Sequence, residues 1–415
     1  MASSSTIEVE SFNSRYYPAY KSLVSMMAWL PIFFLFYNKS LGIRDIILLE
    51  SVYYIAVVAL EVPSGYFSDR LGRKITLIIS SITFSAAYFI FGLGTPSFFS
   101  FAIAQVLFAC GYSFMSGTDT SFYFESLQRD GLGDVYPERE AKVQSWAGYA
   151  GAIAALIGGY LGSIELSYGY LISLAFMIPA LLITLRFEET KSDEEYHNSV
   201  VQQAKTIWNY TKLPELKWMF WYSVIIYVLI HIPYEFYQPY ISLLEEGGFS
   251  LPFEAAVYSG ILFAGTRFFG AIASGQSIRL TKLLGLKMLC FISITMQLLL
   301  IGIWGYFFES WVILLIFLRS ISMSLTTAPI NAEIAPRINK NQRATYFSFQ
   351  SLVSRLSFSV ALILLSIPIS HQVINDWPTL SAIFKYSLYG GILISAPLVF
   401  IRSGALFGHK VNTNS

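Results

Sequence analysis

Charged residues are scarce in this chain of 415 residues. Asp, Glu, Lys and Arg together make up 13% of it, while 55% of the residues are hydrophobic and 17% are aromatic. An ordinary soluble domain carries about a quarter charged residues, so that class is excluded and an integral membrane protein is predicted. The formal net charge is +1 and no segment forms a continuous basic face, which excludes nucleic acid as a partner.

Cysteine and histidine are also rare, with two and four residues respectively. Cys110 and Cys290 both lie within apolar runs, so we interpret them as small buried side chains rather than a disulfide or a metal site. The histidines lack metal-ligand spacing, and no glycine-rich phosphate-binding loop ends in Lys followed by Ser or Thr. We therefore expect no metal, no cofactor and no use of ATP. Because no catalytic constellation is present either, we do not expect an enzyme.

Long apolar runs make up most of the chain. A helix that crosses a bilayer needs about 20 predominantly apolar residues, and the sequence has twelve such windows. They are 20–37, 45–67, 75–94, 98–121, 144–163, 167–186, 217–240, 254–277, 286–307, 310–334, 344–368 and 379–401. The fold class predicted from these windows is an all-α integral membrane protein with twelve transmembrane helices.

Lys and Arg are distributed unevenly between the connections of these windows. With the N-terminus placed inside, 21 of them fall on the cytoplasmic side, against Lys39, Arg44 and Lys385 on the other. The positive-inside rule therefore predicts that both termini are cytoplasmic. The polar, acidic start of the chain does not look like a cleaved signal peptide, so the first helix is expected to direct insertion into a bacterial inner membrane or a plasma membrane.

A compact charged turn separates the second window from the third. Residues 65–74 read Gly-Tyr-Phe-Ser-Asp-Arg-Leu-Gly-Arg-Lys. Gly72 permits the positive φ of a tight turn, and the three cations hold the turn on the cytoplasmic face. Asp69 can pair with a neighbouring arginine or lie against the N-terminus of another helix.

This turn resembles the signature loop between helices two and three of the major facilitator superfamily of secondary transporters, at both glycines and at every charged position. The resemblance implies two pseudo-symmetric six-helix bundles and alternating access to a small solute. It also implies that Asp69 and Arg73 close the cytoplasmic side, whereas a basic turn without a gating role is the alternative. The candidate gate residues are Gly65, Asp69, Arg70, Gly72, Arg73, Lys74 and Glu125.

The longest polar stretch divides the chain into two sets of six windows. We expect an N-terminal bundle over 1–186, a cytoplasmic linker over 187–216 and a C-terminal bundle over 217–415. Apolar residues recur at helical spacing from Val200 to Trp208, which is typical of an amphipathic helix on the inner membrane surface, although a plain solvated tether fits equally well. A weak internal repeat, in which Arg139-Glu140-Ala141-Lys142 is echoed by Gln342-Arg343-Ala344-Thr345, agrees with the parallel halves of the family.

Acidic residues occur within the windows of the first half, where they are costly and indicate function. Glu50 and Glu61 are eleven residues apart and share a helix face with Tyr54, which predicts that this face lines a cavity. Asp119 is our first candidate for proton coupling, because a carboxyl in a low dielectric can bind and release a proton near neutral pH. A structural role remains the alternative for both Glu61 and Asp119.

The seventh window combines two prolines with several polar side chains. Pro233 and Pro239 are predicted to interrupt the helix beside a cavity. His231 and Glu235 are four residues apart and share a face, so they are candidates for a coupled proton site, for solute binding or for a structural pair. Tyr234 and Gln238 are the candidate solute-binding residues of this helix.

Three arginines lie near the centres of windows in the second half: Arg267, Arg319 and Arg355. Arginine keeps its proton at any accessible pH, so each needs a carboxylate or an anionic ligand. Either they form salt bridges between the halves that break during transport, or they bind an anionic solute. We expect salt bridges for at least one and treat all three as candidate solute-binding residues.

Together these features favour a proton-coupled secondary transporter of a small organic solute that is anionic or amphipathic. The alternatives are efflux of amphipathic cations, uptake of a nutrient or an iron-chelating carboxylate, and a non-transporting receptor. The expected partners are the solute, protons and the lipid bilayer, and the chain is expected to act as a monomer.

Overall fold

A computed structural model describes residues 10–41, 43–190, 200–249, 253–366 and 376–400, and these residues form helices without a strand. The predicted all-α class is therefore confirmed. In the first half the helices are α1 (Phe12–Val24), α2 (Phe33–Asn38), α3 (Ile43–Leu71), α4 (Arg73–Leu93), α5 (Phe98–Met115), α6 (Thr118–Arg129), α7 (Tyr136–Ile164) and α8 (Tyr168–Arg186).

A helix between the halves, α9 (Val200–Tyr210), precedes the second set. Its buried Ile207 and the ring of Trp208, which contacts Phe349, lie on the apolar face that the sequence pattern indicates. The second half contains α10 (Pro214–Glu246), α11 (Ala255–Leu284), α12 (Leu286–Tyr306), a 3-10 segment (Ser310–Leu318), α13 (Ile321–Ile334), α14 (Arg343–Ser366), α15 (Trp377–Ser395) and α16 (Pro397–Phe400).

Within the described residues, ten helical stretches are long and apolar enough to cross a membrane. The helix α3 is bent by 43° between Glu61 and Pro63, and counting its two parts as one span brings the number to eleven. The remaining predicted window, 20–37, is not one continuous helix, because the chain leaves α1 at Ser25 and becomes helical again only at Phe33. The predicted window 20–37 is therefore not confirmed as a membrane-spanning helix.

The interruption of the first span is matched by glycines on α7. A Cβ at Gly158 would collide with the carbonyl oxygen of Ala28, and one at Gly162 would lie 2.9 Å from the side chain of Ile32. The amide of Ala28 donates to Ser173 Oγ at 3.0 Å, so α8 satisfies a backbone group that the broken helix leaves open. The glycine face of α7 thus accommodates non-helical backbone inside the bundle.

The two halves meet along α7 and α11 and along α3 and α14. Gly159 of α7 and Gly260 of α11 face each other, and a Cβ on either would come within 2.9 Å of the other's Cα. A Cβ at Gly65 of α3 would lie 2.8 Å from the Cα of Thr345 on α14. Small residues at both contacts let the backbones approach closely, and the space that remains between the halves forms the central cavities.

The prolines of the seventh window do not break the helix as predicted, since α10 runs continuously through Pro233 and Pro239. A proline leaves the carbonyl four residues before it without its helical donor. For Pro233 that carbonyl belongs to Leu229, and it accepts from Gln297 Nε2 at 3.4 Å. A neighbouring helix therefore supplies the missing hydrogen bond, which allows the helix to continue.

We expect the substitution Gly159→Val to destabilise the protein, because the new side chain would have to displace the backbone of α11. Overpacking of this kind costs roughly 1–3 kcal/mol. The measurement is thermal unfolding of the purified protein in detergent. Gly390→Val is the matched control, since a Cβ there meets nothing within 4 Å. Equal melting temperatures for the two variants would contradict the close contact of α7 and α11.

Candidate functional site

Two adjoining cavities lie between the halves and share the wall formed by Leu30, Tyr227, His231 and Tyr234. One, of about 490 Å³, contains Arg267 and Arg319 and is called here the arginine cavity. The other, of about 190 Å³, is called here the aromatic cavity. Its walls include Trp29, Phe33, Tyr53, Tyr54, Phe108, Tyr112 and Phe358, together with Glu50, Gln105 and Arg355.

The arginine cavity holds positive charge without a carboxylate. Arg319 donates from Nη1 to the carbonyl of Ile230 at 3.2 Å and places its guanidinium 4.7 Å from the ring centre of Tyr234. Its buried Nε has no hydrogen-bond acceptor in the described part of the chain. Arg267 enters none of the hydrogen bonds or ion pairs of the described residues, and no Asp or Glu is among the residues that line this cavity. Both guanidinium groups can therefore bind an anion.

The aromatic cavity offers groups of both signs. Glu50 accepts a hydrogen bond from Gln105 Nε2 at 3.2 Å, and Arg355 donates from Nε to Ser351 Oγ at 3.3 Å. The two charged groups come from opposite halves of the chain and do not form an ion pair within the described residues. Of the predicted face, Glu50 and Tyr54 line this cavity, whereas Glu61 does not.

His231 and Glu235, the candidates for a coupled proton site, for solute binding or for a structural pair, do not contact each other. The ring of His231 stacks on Tyr227 with the centroids 3.9 Å apart, and its Nδ1–H donates to the Tyr227 carbonyl at 2.7 Å. Glu235 is exposed and lies outside both cavities. Tyr234 lines both cavities, whereas the side chain of Gln238 falls outside the described residues.

Glu61 and Asp119 are buried, but neither lines a central cavity. Glu61 accepts from Ser116 Oγ at 2.8 Å and from Ser113 Oγ at 3.3 Å. Asp119 forms an ion pair with Lys21 of α1, and both side chains are mostly buried. Lys21 was not among the predicted site residues. The signal was its position inside the apolar window 20–37.

Five buried residues at one end of the molecule form a gate cluster: Asp69, Arg73, Glu125, Arg343 and Thr345. Arg73 donates to Asp69 Oδ1 at 2.5 Å and to Glu125 Oε1 at 3.1 Å. Arg343 donates to the same Glu125 oxygen at 3.1 Å, and Thr345 donates to Asp69 Oδ2 from its amide at 3.0 Å and also from its hydroxyl. The cluster ties the first half to the second.

The remaining gate candidates shape the cluster from outside. Gly72 has φ 115°, and the amides of Arg73 and Lys74 that follow it donate to Glu189 at 2.8 and 3.1 Å, which caps α4. Gly65 permits the close contact with Thr345 described above. Arg70 is exposed and donates to the hydroxyl of Tyr66 at 3.2 Å.

The second-half members of the cluster, Arg343 and Thr345, were not among the predicted gate residues. The internal repeat was the signal that could have found them, because it aligns Gln342-Arg343-Ala344-Thr345 with a charged helix start in the first half. Which side chains meet across the two halves is a tertiary property, and the repeat alone does not fix it.

Comparisons with known proteins agree on one fold. Residues 22–362 match the family model described as Major Facilitator Superfamily. Similar solved structures include the human organic anion transporter MFSD10 (TETRAN), with a TM-score of 0.71, 13% identity and coverage of 95% of this chain and 100% of that one. A bacterial homologue of the iron transporter ferroportin has a TM-score of 0.68 and 15% identity, with coverage of 94% of this chain and 100% of that one. A mutant of the nucleoside transporter NupG has a TM-score of 0.66 and 14% identity, with coverage of 94% of this chain and 98% of that one. At these identities the likeness shows the fold alone.

We expect Glu125→Gln to open the end of the molecule at which the gate cluster lies, called here the gate end. The change leaves the buried guanidinium groups of Arg73 and Arg343 without their shared carboxylate, and removing one member of a buried ion pair costs about 3–5 kcal/mol. The measurement is the spin-label distance between Gln128→Cys and Arg279→Cys, with Cys110 and Cys290 replaced by alanine. Glu188→Gln, at an exposed carboxylate nearby, should leave this distance unchanged. An unchanged distance in Glu125→Gln as well would contradict the gating role.

Proposed function

The chain belongs to the major facilitator superfamily, and on that premise we propose that it is a proton-coupled secondary transporter that moves a small organic anion across a membrane by alternating access. The two bundles over 1–186 and 217–415 would rock about the central cavities, with 187–216 as the linker. We place the gate end and both termini in the cytoplasm and the protein in a bacterial inner or plasma membrane. Both halves of the solute site come from one chain, so the proposed transport unit is a monomer.

The observation that carries this proposal is the pair of arginines in the arginine cavity. Arg267 and Arg319 keep their charge at any accessible pH, and a charge in the middle of a membrane protein needs a counter-charge. The described carboxylates Glu61 and Asp119 are bonded elsewhere, to serines and to Lys21. An anionic solute would supply the missing negative charge, and guanidinium groups bind carboxylate or phosphate with paired hydrogen bonds.

The adjoining aromatic cavity suggests the rest of the solute. Tyr234 belongs to both cavities and already stacks against the Arg319 guanidinium, so a ring could lie next to the bound anionic group. Most of the walls beyond it are aromatic, and Glu50 and Gln105 offer hydrogen bonds. This favours an amphipathic anion with an apolar or aromatic body over a small inorganic ion.

The gate cluster fits one state of an alternating-access cycle. Its bonds between the halves would hold one end of the central cavities closed, and they would break when that end opens. Each bond that breaks exposes a charge to water, which replaces the lost partner. Proton coupling is assigned to first-half carboxyls, with Asp119 and Glu61 as the candidates that are buried away from the solute.

Efflux of an amphipathic cation is the second candidate, and one observation favours it. The aromatic cavity combines the carboxyl of Glu50 with Trp29, Tyr53 and Tyr112, and a carboxylate within an aromatic box is a typical site for an organic cation. The two readings differ in which charged residue the solute needs. The anion needs Arg267, and the cation needs Glu50.

The test is solute-induced proton movement by the purified protein in liposomes that contain a pH-sensitive dye. Two anions, p-aminohippurate and citrate, and one cation, ethidium, are compared. We expect an anion to move protons and Arg267→Ala to abolish the response. Arg279→Ala, an exposed arginine on the same helix, is the matched control and should transport like the wild type.

Two outcomes would contradict the proposal. If ethidium alone moves protons and Glu50→Gln abolishes the response while Arg267→Ala does not, efflux of a cation replaces anion transport as the proposed function. If none of these solutes produces flux under any gradient although a change in tryptophan fluorescence reports binding, the chain is a receptor with a transporter fold.

A further inference from the structure

A group of buried polar atoms inside the first half has no role in the site described above. The hydroxyls of Tyr17 and Tyr20 on α1 and of Tyr136 on α7, together with Oε2 of Glu140 on α7, are buried without a hydrogen-bond partner in the described part of the chain. Tyr17 is close enough to interact electrostatically with Glu140, with Tyr136 and with Asp119. Buried polar atoms without a protein partner are where internal water binds, and this group of buried polar side chains is called here the polar chamber.

Glu140 is the unusual member of this chamber. It is completely buried, its Oε1 accepts from Gln144 Nε2 at 2.8 Å, and it forms no ion pair with a described residue. An ionised carboxylate in such a place is strongly disfavoured, so its neutral, protonated form suits the conformation described. The carboxyl of Glu140 is therefore suited to holding a proton in this place.

The charged groups that act on Glu140 are Lys21 of α1 and Asp119 of α6. Tyr17 of α1 and Tyr136 of its own helix also interact with it. On the side where α11 packs, the neighbouring contact is neutral, with Ser274 donating to the carbonyl of Ala141 at 3.1 Å.

The chamber also reaches the solute site. Gln144, which donates to Glu140, lines the arginine cavity. Arg267 of that cavity interacts electrostatically with Lys21. An anion bound at Arg267 would therefore offset part of the repulsion between Arg267 and the Lys21 ammonium.

We propose that Glu140 is a proton-carrying residue of this transporter, an inference that rests on the proposed proton-coupled function. The proton passes from the Glu140 carboxyl through chamber water to the Asp119 carboxylate. Asp119 becomes neutral and releases Lys21, whose ammonium then pairs with the Glu140 carboxylate. No net charge is created, and an anion bound at Arg267 favours the movement of Lys21 because it cancels the repulsion between the two cations.

The first test needs no solute. Infrared spectra of the purified protein at neutral pH should contain a band of a protonated carboxyl that disappears in Glu140→Gln. It should persist in Glu138→Gln, a control two residues away where the carboxylate is half-exposed and paired with Lys282. In Asp119→Asn we expect the Glu140 band to be lost, because Lys21 then turns to Glu140. A spectrum of Glu140→Gln identical to that of the wild type would overturn the proposal, as would persistence of the band in Asp119→Asn.

The second test uses p-aminohippurate in liposomes. We expect Glu140→Gln to retain exchange of the solute between the two sides of the liposome membrane and to lose accumulation of the solute driven by a pH gradient. For a gradient of one pH unit and one proton per solute, the loss is about tenfold, because a unit of pH is a tenfold difference in proton activity. Undiminished accumulation in Glu140→Gln would overturn the proposal, and so would the loss of exchange together with accumulation. If the wild type does not move the solute, the proposed function fails on its own, while the infrared result still decides the protonation of Glu140.

Discussion

The cost of placing a charge in a low dielectric without a partner organises this structure. Most of the buried charges have partners in the conformation described: Glu125 accepts from both Arg73 and Arg343, Thr345 donates twice to Asp69, and Lys21 pairs with Asp119. Where the partner is absent, function is the natural explanation. Arg267, Arg319 and Glu140 belong to this second group, and all three lie at or beside the arginine cavity.

A second constraint is that backbone groups inside a membrane protein must be satisfied. The first span can be non-helical around Ala28 because α8 supplies the hydroxyl of Ser173 and α7 presents glycine at 158. The helix α10 can contain Pro233 because Gln297 donates to the carbonyl that the proline leaves open. Both irregular places lie beside the central cavities, so the local repairs of the backbone also shape the solute site.

Much of the fold could be predicted from the sequence, because apolar length and the charged turn are local properties. Eleven of the twelve predicted windows correspond to membrane-spanning stretches. The fourth stretch is longer than its window, because α6 follows α5 after Gly117, which has a positive φ. The interruption of the first window could not be predicted, since it depends on glycines more than a hundred residues away. The continuity of α10 through Pro233 could not be predicted either, because it depends on Gln297 of another helix.

The candidate site shows a similar division. The residue types were predictable, because a buried Glu or Arg is costly wherever it points. Their partners were not, since helical spacing gives relative faces and not which helix lies opposite. His231 and Glu235 share a helix face and still do not meet, whereas Lys21 and Asp119 are 98 residues apart and do. Glu140 belongs to the internal repeat, but its burial depends on how α1, α6 and α7 pack together.

In the proposed function the arginine cavity binds the anionic group of the solute. The most direct measurement is an anomalous-diffraction structure of the protein with p-bromobenzoate. We expect the carboxylate to lie between Arg267 and Arg319, with the bromine directed past Tyr234 into the aromatic cavity. A ligand bound with its carboxylate away from both arginines, or no ligand in either cavity at saturating concentration, would contradict it.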